Sequence, residues 1–110
     1  MDEVAWESVS RIVDRLDAAA ATPPDSASAV SPALLMRVLK LSEEVGEVAE
    51  AVIGVAGQNP VKGVSHTWDD VTMELCDVLI SAMAALTTVT TDARTVFAAR
   101  LAHVVDRMGA

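Results

Sequence analysis

The apolar positions of this chain recur at helical spacing and nowhere alternate as a half-buried strand would. From Asp2 to about Ala20, Val4, Val9, Ile12, Val13 and Leu16 mark one face of a first helix. The stretch from Ala21 to Ser31 sets Pro23-Pro24 among Ser and Ala, cannot continue that helix, and reads as a linker. Ser31-Pro32 then places an N-cap residue before a proline at the first helical position, opening a second helix over about 32–55 that stops near Gly54 and Gly57. Residues 57–67, with Asn59-Pro60 and Gly63, form the longest interior loop. Thr67 or Asp69 can cap a third helix over about 68–87, which the Thr-rich run 87–91 breaks. Asp92 caps a fourth, over about 92–108, before Gly109. No segment repeats another, so the pattern predicts one all-α domain over 1–110, built as a four-helix bundle.

The wheels of the two long helices are unequal. At ~100° per residue, with Glu43 as origin, Leu34, Val38, Leu41, Val45, Val48 and Val52 centre near 180° on the second helix. Glu43 and Glu50 lie almost opposite, Glu47 a little closer, and Glu44 at about 100°, on the flank of the expected core face. On the third helix apolar residues cover most of the circumference, including Val71, Met73, Leu75, Val78, Leu79, Ile80, Met83 and Leu86. Only Asp70, Glu74, Asp77 and Ser81 form a polar stripe. A helix buried that widely touches more than one neighbour, and carboxylates on it cost free energy unless solvated, protonated or bound to a cation. Met36, Met73 and Met83 are expected in the core, as is Cys76, which points away from Glu74 on the wheel and reads as a small buried hydrophobe.

Composition narrows the class. Of 110 residues 52% are apolar, yet the aromatics are two Trp and one Phe, so Ala, Val, Leu, Ile and Met must fill the core. A short chain this apolar favours an oligomer. The formal charge of −8 argues against a nucleic-acid polymer or an anionic membrane as partner, but leaves room for a phosphate ligand held through a divalent cation. The single cysteine cannot form an internal disulfide, the start Met1-Asp2-Glu3 carries no signal-peptide pattern, and no uninterrupted apolar run reaches membrane-spanning length. A soluble, cytoplasmic protein is the expectation.

The chemistry lies in the carboxylates. Glu44 with Glu47, and Glu74 with Asp77, are each three apart on a helix, so each pair can present both groups to one point. Acids are common on solvated helix faces, and those of the two helices could simply keep an oligomer soluble. Against that, the third helix has no Lys or Arg, and on the second Arg37 and Lys40 merely precede the acids. An all-oxygen cluster suits Mg²⁺ or Mn²⁺, whereas Glu-x-x-His is absent and one Cys with two His is too sparse for zinc.

Lys40-Leu41-Ser42-Glu43-Glu44-Val45-Gly46-Glu47, followed by Glu74-Leu75-Cys76-Asp77-Val78-Leu79, resembles the paired E-E-x-x-E and E-x-x-D motifs of the MazG-like, all-α nucleoside triphosphate pyrophosphohydrolases. The resemblance covers about Met36 to Leu86, with both half-motifs in order. It implies Glu44, Glu47, Glu74 and Asp77 as ligands of Mg²⁺, with Mn²⁺ possible, and Glu43, Glu44 and Glu47 as the catalytic acids. Glu43 would hold a second ion or the attacking water. It implies a nucleoside triphosphate substrate cut between the α- and β-phosphates, and a homodimer or homotetramer with the site near a subunit boundary. Relatives often carry Lys, Arg and Asn after the second motif; here only Arg94, Arg100 and Arg107 follow, so Lys40 and Lys62 are the candidates for phosphate contact. Trp68, beside the loop, is a candidate to stack on the base, and Trp6 a weaker one, core or interface packing being the alternative for both; His66, within the loop, is a candidate for base or phosphate, an exposed loop histidine being its alternative. Two other classes remain open: a non-catalytic nucleotide or Mg²⁺ sensor, and a structural helical oligomer.

Overall fold

The computed structural model describes residues 1–19 and 31–110, and these form four helices: α1 (Glu3–Ala19), α2 (Pro32–Ala56), α3 (Trp68–Val89) and α4 (Ala93–Met108). Among the described residues there is no strand, only an isolated bridge between Asn59 and Gly63 that pinches the α2–α3 loop. The all-α expectation is met. The expected linker at 21–30 lies outside the described residues.

Local chemistry sets the ends. Ser31 Oγ accepts from the Leu34 N–H at 3.4 Å with Pro32 just inside, and Gly57 closes α2 at φ 66°, a left-handed value that favours glycine. Thr67 and Asp70 form a reciprocal capping box: Thr67 Oγ1 accepts from the Asp70 N–H at 3.2 Å, and Asp70 Oδ2 from the Thr67 N–H at 2.9 Å. That backbone N–H holds the Asp70 carboxyl below the usual carboxylate range. Asp92 occupies the N-cap position of α4 but makes no side-chain cap bond. α3 runs through Thr87 and Thr88 to Val89, past its expected end, because Thr88 Oγ1 donates back to the Ala84 carbonyl at 2.8 Å and accepts from Arg37.

α2 and α3 are antiparallel. Arg37 reaches Thr88, Glu44 meets Glu74 and Asp77, and the Ser65 N–H bonds to the Gly54 carbonyl at 3.0 Å. α1 packs on α3, joining Trp6, Val9 and Val13 to Met83, Ala84 and Ala93, with Phe97 at the rim. Trp6 and Phe97 meet with ring centroids 6.1 Å apart, tilted by 58°, so Trp6 belongs to the core and not to a ligand. Arg37 ties three helices together: its guanidinium donates to Asp17 Oδ1 on α1 at 2.6 Å and to Thr88 Oγ1 on α3 at 2.5 Å. The radius of gyration, 16.9 Å, exceeds the ~13 Å of a closely packed domain this long.

Several expected core residues are outside. Val4, Ile12 and Leu16 of α1 are exposed, because the helix buries its Trp6-Val9-Val13 face instead. Met36 and Met73 are exposed, as is Cys76, while Met83 is buried as expected. The largest shift is on α2, whose buried positions are Arg37, Glu44, Ala51 and Gly54. The helix turns its Glu44 face to α3 and leaves Val38 (48%), Val45 (52%) and Val52 (40%) exposed. Leu34, Val38, Leu41, Val45, Val48, Val52 and Val55 step by four and three residues, a heptad seam along the whole helix. On α3, Trp68, Leu75, Leu79, Leu86 and Val89 share a similar seam, with all but Leu86 exposed. Because the helices are antiparallel, both seams fall on one side of the hairpin, and Glu43, Glu47 and Asp77 on the other. α3 is also long and apolar enough to cross a membrane, with mean hydropathy 1.5 over its best window, contrary to the reading from uninterrupted runs. It nonetheless carries Asp69, Asp70, Glu74 and Asp77, and packs Val71, Met83, Ala84 and Ala85 against its neighbours.

Candidate metal centre

Facing α2 toward α3 brings three of the four expected ligands to one point. Oxygens of Glu44, Glu74 and Asp77 lie within 4.8 Å of one another, with Glu44 buried, Glu74 half-buried and Asp77 exposed. Glu74 Oε2 is buried and has no hydrogen-bond partner. A buried carboxylate oxygen with no donor costs the full desolvation of that group, so the arrangement leaves a place for a cation.

Glu47 lies outside that tightest trio but within its field. Its carboxyl is pushed up to about 7, first by partial burial, then by a hydrogen bond to Glu74 that only the protonated form can make, and by the charge of Glu44. Glu43 is outside the trio and pairs with Lys40: Lys40 Nζ sits 2.8 Å from its Oε1, and both side chains are more than half exposed. That pairing lowers the Glu43 carboxyl and raises the Lys40 ammonium. Lys40 also lies 3.4 Å from Glu44 Oε1, four residues on. The acids of α2 are thus partly compensated, contrary to the expectation of a cluster with no basic partner. The Lys40/Glu44 spacing of four was the signal in the sequence. Lys40 is held by carboxylates, which sets it at the acids.

All donors are hard carboxylate oxygens, and three converge with one lone pair set unsatisfied. This fits Mg²⁺ or Mn²⁺ and does not fit a soft metal. Trp68 is exposed at the first turn of α3, beyond the loop. Lys62 and His66 line a separate depression of about 380 Å³ over the C-terminal half of α2, with Gly46, Glu50, Ile53 and Asn59. Another depression, about 470 Å³ beside Trp6, Arg94 and Leu101, contains none of the clustered acids.

No family model, no curated protein and no solved structure matches the chain.

Proposed function

We propose that the chain is a Mg²⁺-dependent nucleoside triphosphate pyrophosphohydrolase of the MazG-like type, releasing a nucleoside monophosphate and pyrophosphate. The observation that carries this reading is the convergence of Glu44, Glu74 and Asp77 around the unpartnered Glu74 Oε2, at the positions the two resemblance motifs single out. A bound Mg²⁺ would supply charge neutralisation for the phosphates and a more acidic water. Glu44, Glu74 and Asp77 would hold it, with Glu47 completing the set. Glu43 stays ionised beside Lys40 and holds that ammonium next to Glu44.

The bundle and the oligomer belong to the same reading. The α2 seam runs from Leu34 to Val55, ~32 Å at helical rise, and two helices side by side make it ~20 Å wide. Two such faces bury on the order of 1,200 Å², the lower end of specific interfaces. In this reading each chain is a four-helix bundle, and a second copy packed on this face makes a homodimer, or a homotetramer by repetition.

The test is pyrophosphate release from a panel of nucleoside triphosphates with Mg²⁺ or Mn²⁺, and with EDTA as control. Metal-dependent release that Glu47→Gln and Asp77→Asn abolish, with helicity retained, is the expected result. Turnover surviving both substitutions would rule this site out. Nucleotide binding without release would favour the sensor reading.

A further inference from the structure

We propose that α4 is an assembly arm: its exposed apolar stripe packs on a second copy of this chain and extends the interface that the α2–α3 seam begins. This rests on the assembly in the proposed function and is independent of its chemistry.

The helix has little support within its own chain. Only Ala93 is buried and only Phe97 and Val104 are half-buried; every other residue of α4 is exposed. Ala93 and Phe97 are the α4 residues that reach the Trp6 core. At 16 residues α4 is close to the length, ~12–15 residues, at which a helix without tertiary contacts is marginal in water.

What α4 exposes is ordered. Phe97, Leu101, Val105 and Met108 fall within ~80° of one another on the helical wheel. Leu101, Val105 and Met108 are 49%, 40% and 76% exposed. The stripe starts at a narrow apolar cleft of about 120 Å³, where Phe97 and Trp6 meet Leu79 and Leu86. Leu79 and Leu86 belong to the α3 seam, so stripe and seam adjoin.

Area and charge identify the occupant. The seam alone gives on the order of 1,200 Å², the lower end of specific interfaces. From Phe97 to Met108 the stripe is ~17 Å long and ~10 Å wide; two arms and the surfaces they cover add ~600 Å², which brings the total to the standard size. In charge, α4 sets Arg94, Arg100 and Arg107 against Asp106 alone, within a chain of net charge −8. Arg94 pairs with Glu3, while Arg100 and Arg107 have no ion pair among the described residues. α3 is the reverse, with Asp69 and Asp70 at its start, then Glu74 and Asp77, and no Lys or Arg. Trp68 and Leu75 are exposed in that acidic half, away from the α4 end of the helix. A two-fold axis that sets the two α3 helices antiparallel lays each arm over the Trp68 end of the other copy, apolar on apolar and Arg beside Asp.

The experiment reads assembly and arm together on the full chain: light scattering, and amide hydrogen exchange by mass spectrometry, over a ~100-fold range of protein concentration. The amides of 101–108 are expected to exchange ~10-fold or more slowly in the assembled protein than at dilution. Leu101→Glu puts one good helix former in place of another at an exposed position, and should weaken assembly ~30-fold or more. Ala99→Glu, about 160° from Leu101 on the wheel, should leave assembly within ~3-fold of the wild type. Exchange of the α1 core amides at dilution should be the same in all three proteins, which shows an intact fold. Wild-type assembly in Leu101→Glu, or amides of 101–108 that exchange equally fast assembled and diluted, overturns the arm and leaves the seam interface standing. A chain that is single at every concentration overturns the arm and the proposed assembly together.

Discussion

Replacing Glu74 by Gln should make the metal-free protein more stable and abolish the stabilisation by Mg²⁺ that the proposed site predicts. The oxygens of Glu44, Glu74 and Asp77 lie within 4.8 Å of one another. Two ionised carboxylates at that distance repel by ~0.9 kcal/mol in water and ~3.5 kcal/mol at an effective dielectric of about 20. Glu74 is half-buried between a buried and an exposed partner, so the true value per pair falls between those limits. The substitution removes two such pairs and gives the orphaned oxygen's position an amide that donates to its neighbours. After allowing for the side chain's lost solvation, the net gain is ~1–3 kcal/mol. For a domain of this size each kcal/mol moves Tm by ~4–8 °C, so the variant should melt ~5–15 °C higher in EDTA.

Magnesium should reverse the order. A ligand at a hundred times its Kd stabilises the folded state by ~2.7 kcal/mol, and the wild-type chain should gain about that much, while Glu74→Gln gains less than a quarter of it. Thermal melts of both proteins at one protein concentration, in EDTA and across a Mg²⁺ series, read out both quantities. If the variant melts at or below the wild-type temperature in EDTA and keeps its Mg²⁺ response, the acids are an ordinary solvated face and the site reasoning fails.

Two further outcomes follow from named contacts. Arg37→Met strands Asp17 and Thr88; a broken buried pair costs ~3–5 kcal/mol, and because Asp17 is about one-third exposed and can rehydrate, ~2–3 kcal/mol is expected in urea denaturation, with a loss under 0.5 kcal/mol contradicting the three-helix clamp. The Glu47 carboxyl is raised from 4.5 to about 7, so the unfolded chain releases that proton first. Its stabilising contribution is complete below pH 4.5 and is lost as pH rises to about 7. In EDTA the Tm difference between wild type and Glu47→Gln should therefore change between pH 5 and pH 7.5, with the wild type losing ground; parallel profiles would contradict the shared proton.

The sequence made the helices legible because their signals are local. Ser31-Pro32, Gly57 and the Thr67/Asp70 box act within one turn, and each sits where its chemistry predicts. The acid positions were legible because spacing of three on a helix fixes a shared face. Rotation of α2 was not. The wheel ranks faces by apolar content, and by that measure Val38, Val45 and Val52 belong inside. What decides the rotation is tertiary: Arg37 must reach Asp17 and Thr88, and Glu44 must reach Glu74 and Asp77, from helices far away in sequence. The same long-range pairing carried α3 through two threonines. His66 over Gly54 depended on how the loop folds back, which no periodicity encodes.

The rotation of α2 joins two features that are each unfavourable alone. Turning Glu44 inward buries a carboxylate beside two others, and turning the valines outward forgoes their burial. Three valines left about half exposed forfeit ~2–4 kcal/mol against full burial. The chain accepts both, and both are relieved together if a cation occupies the acids and a second copy covers the seam. Each locks α2 in the same orientation, so metal binding and assembly should be linked. Val45→Glu tests this, because it places a charge in the centre of the seam and touches none of the acids. Light scattering should find the wild type as a multiple of 11.5 kDa and Val45→Glu as the single chain. By calorimetry the variant should bind Mg²⁺ ~5-fold or more weakly, the lower bound of ordinary coupling between sites. A variant that stays assembled would place the interface elsewhere. A single chain with undiminished Mg²⁺ affinity would show that the acid cluster holds its geometry without the partner, and that the exposed seam has no part in setting it.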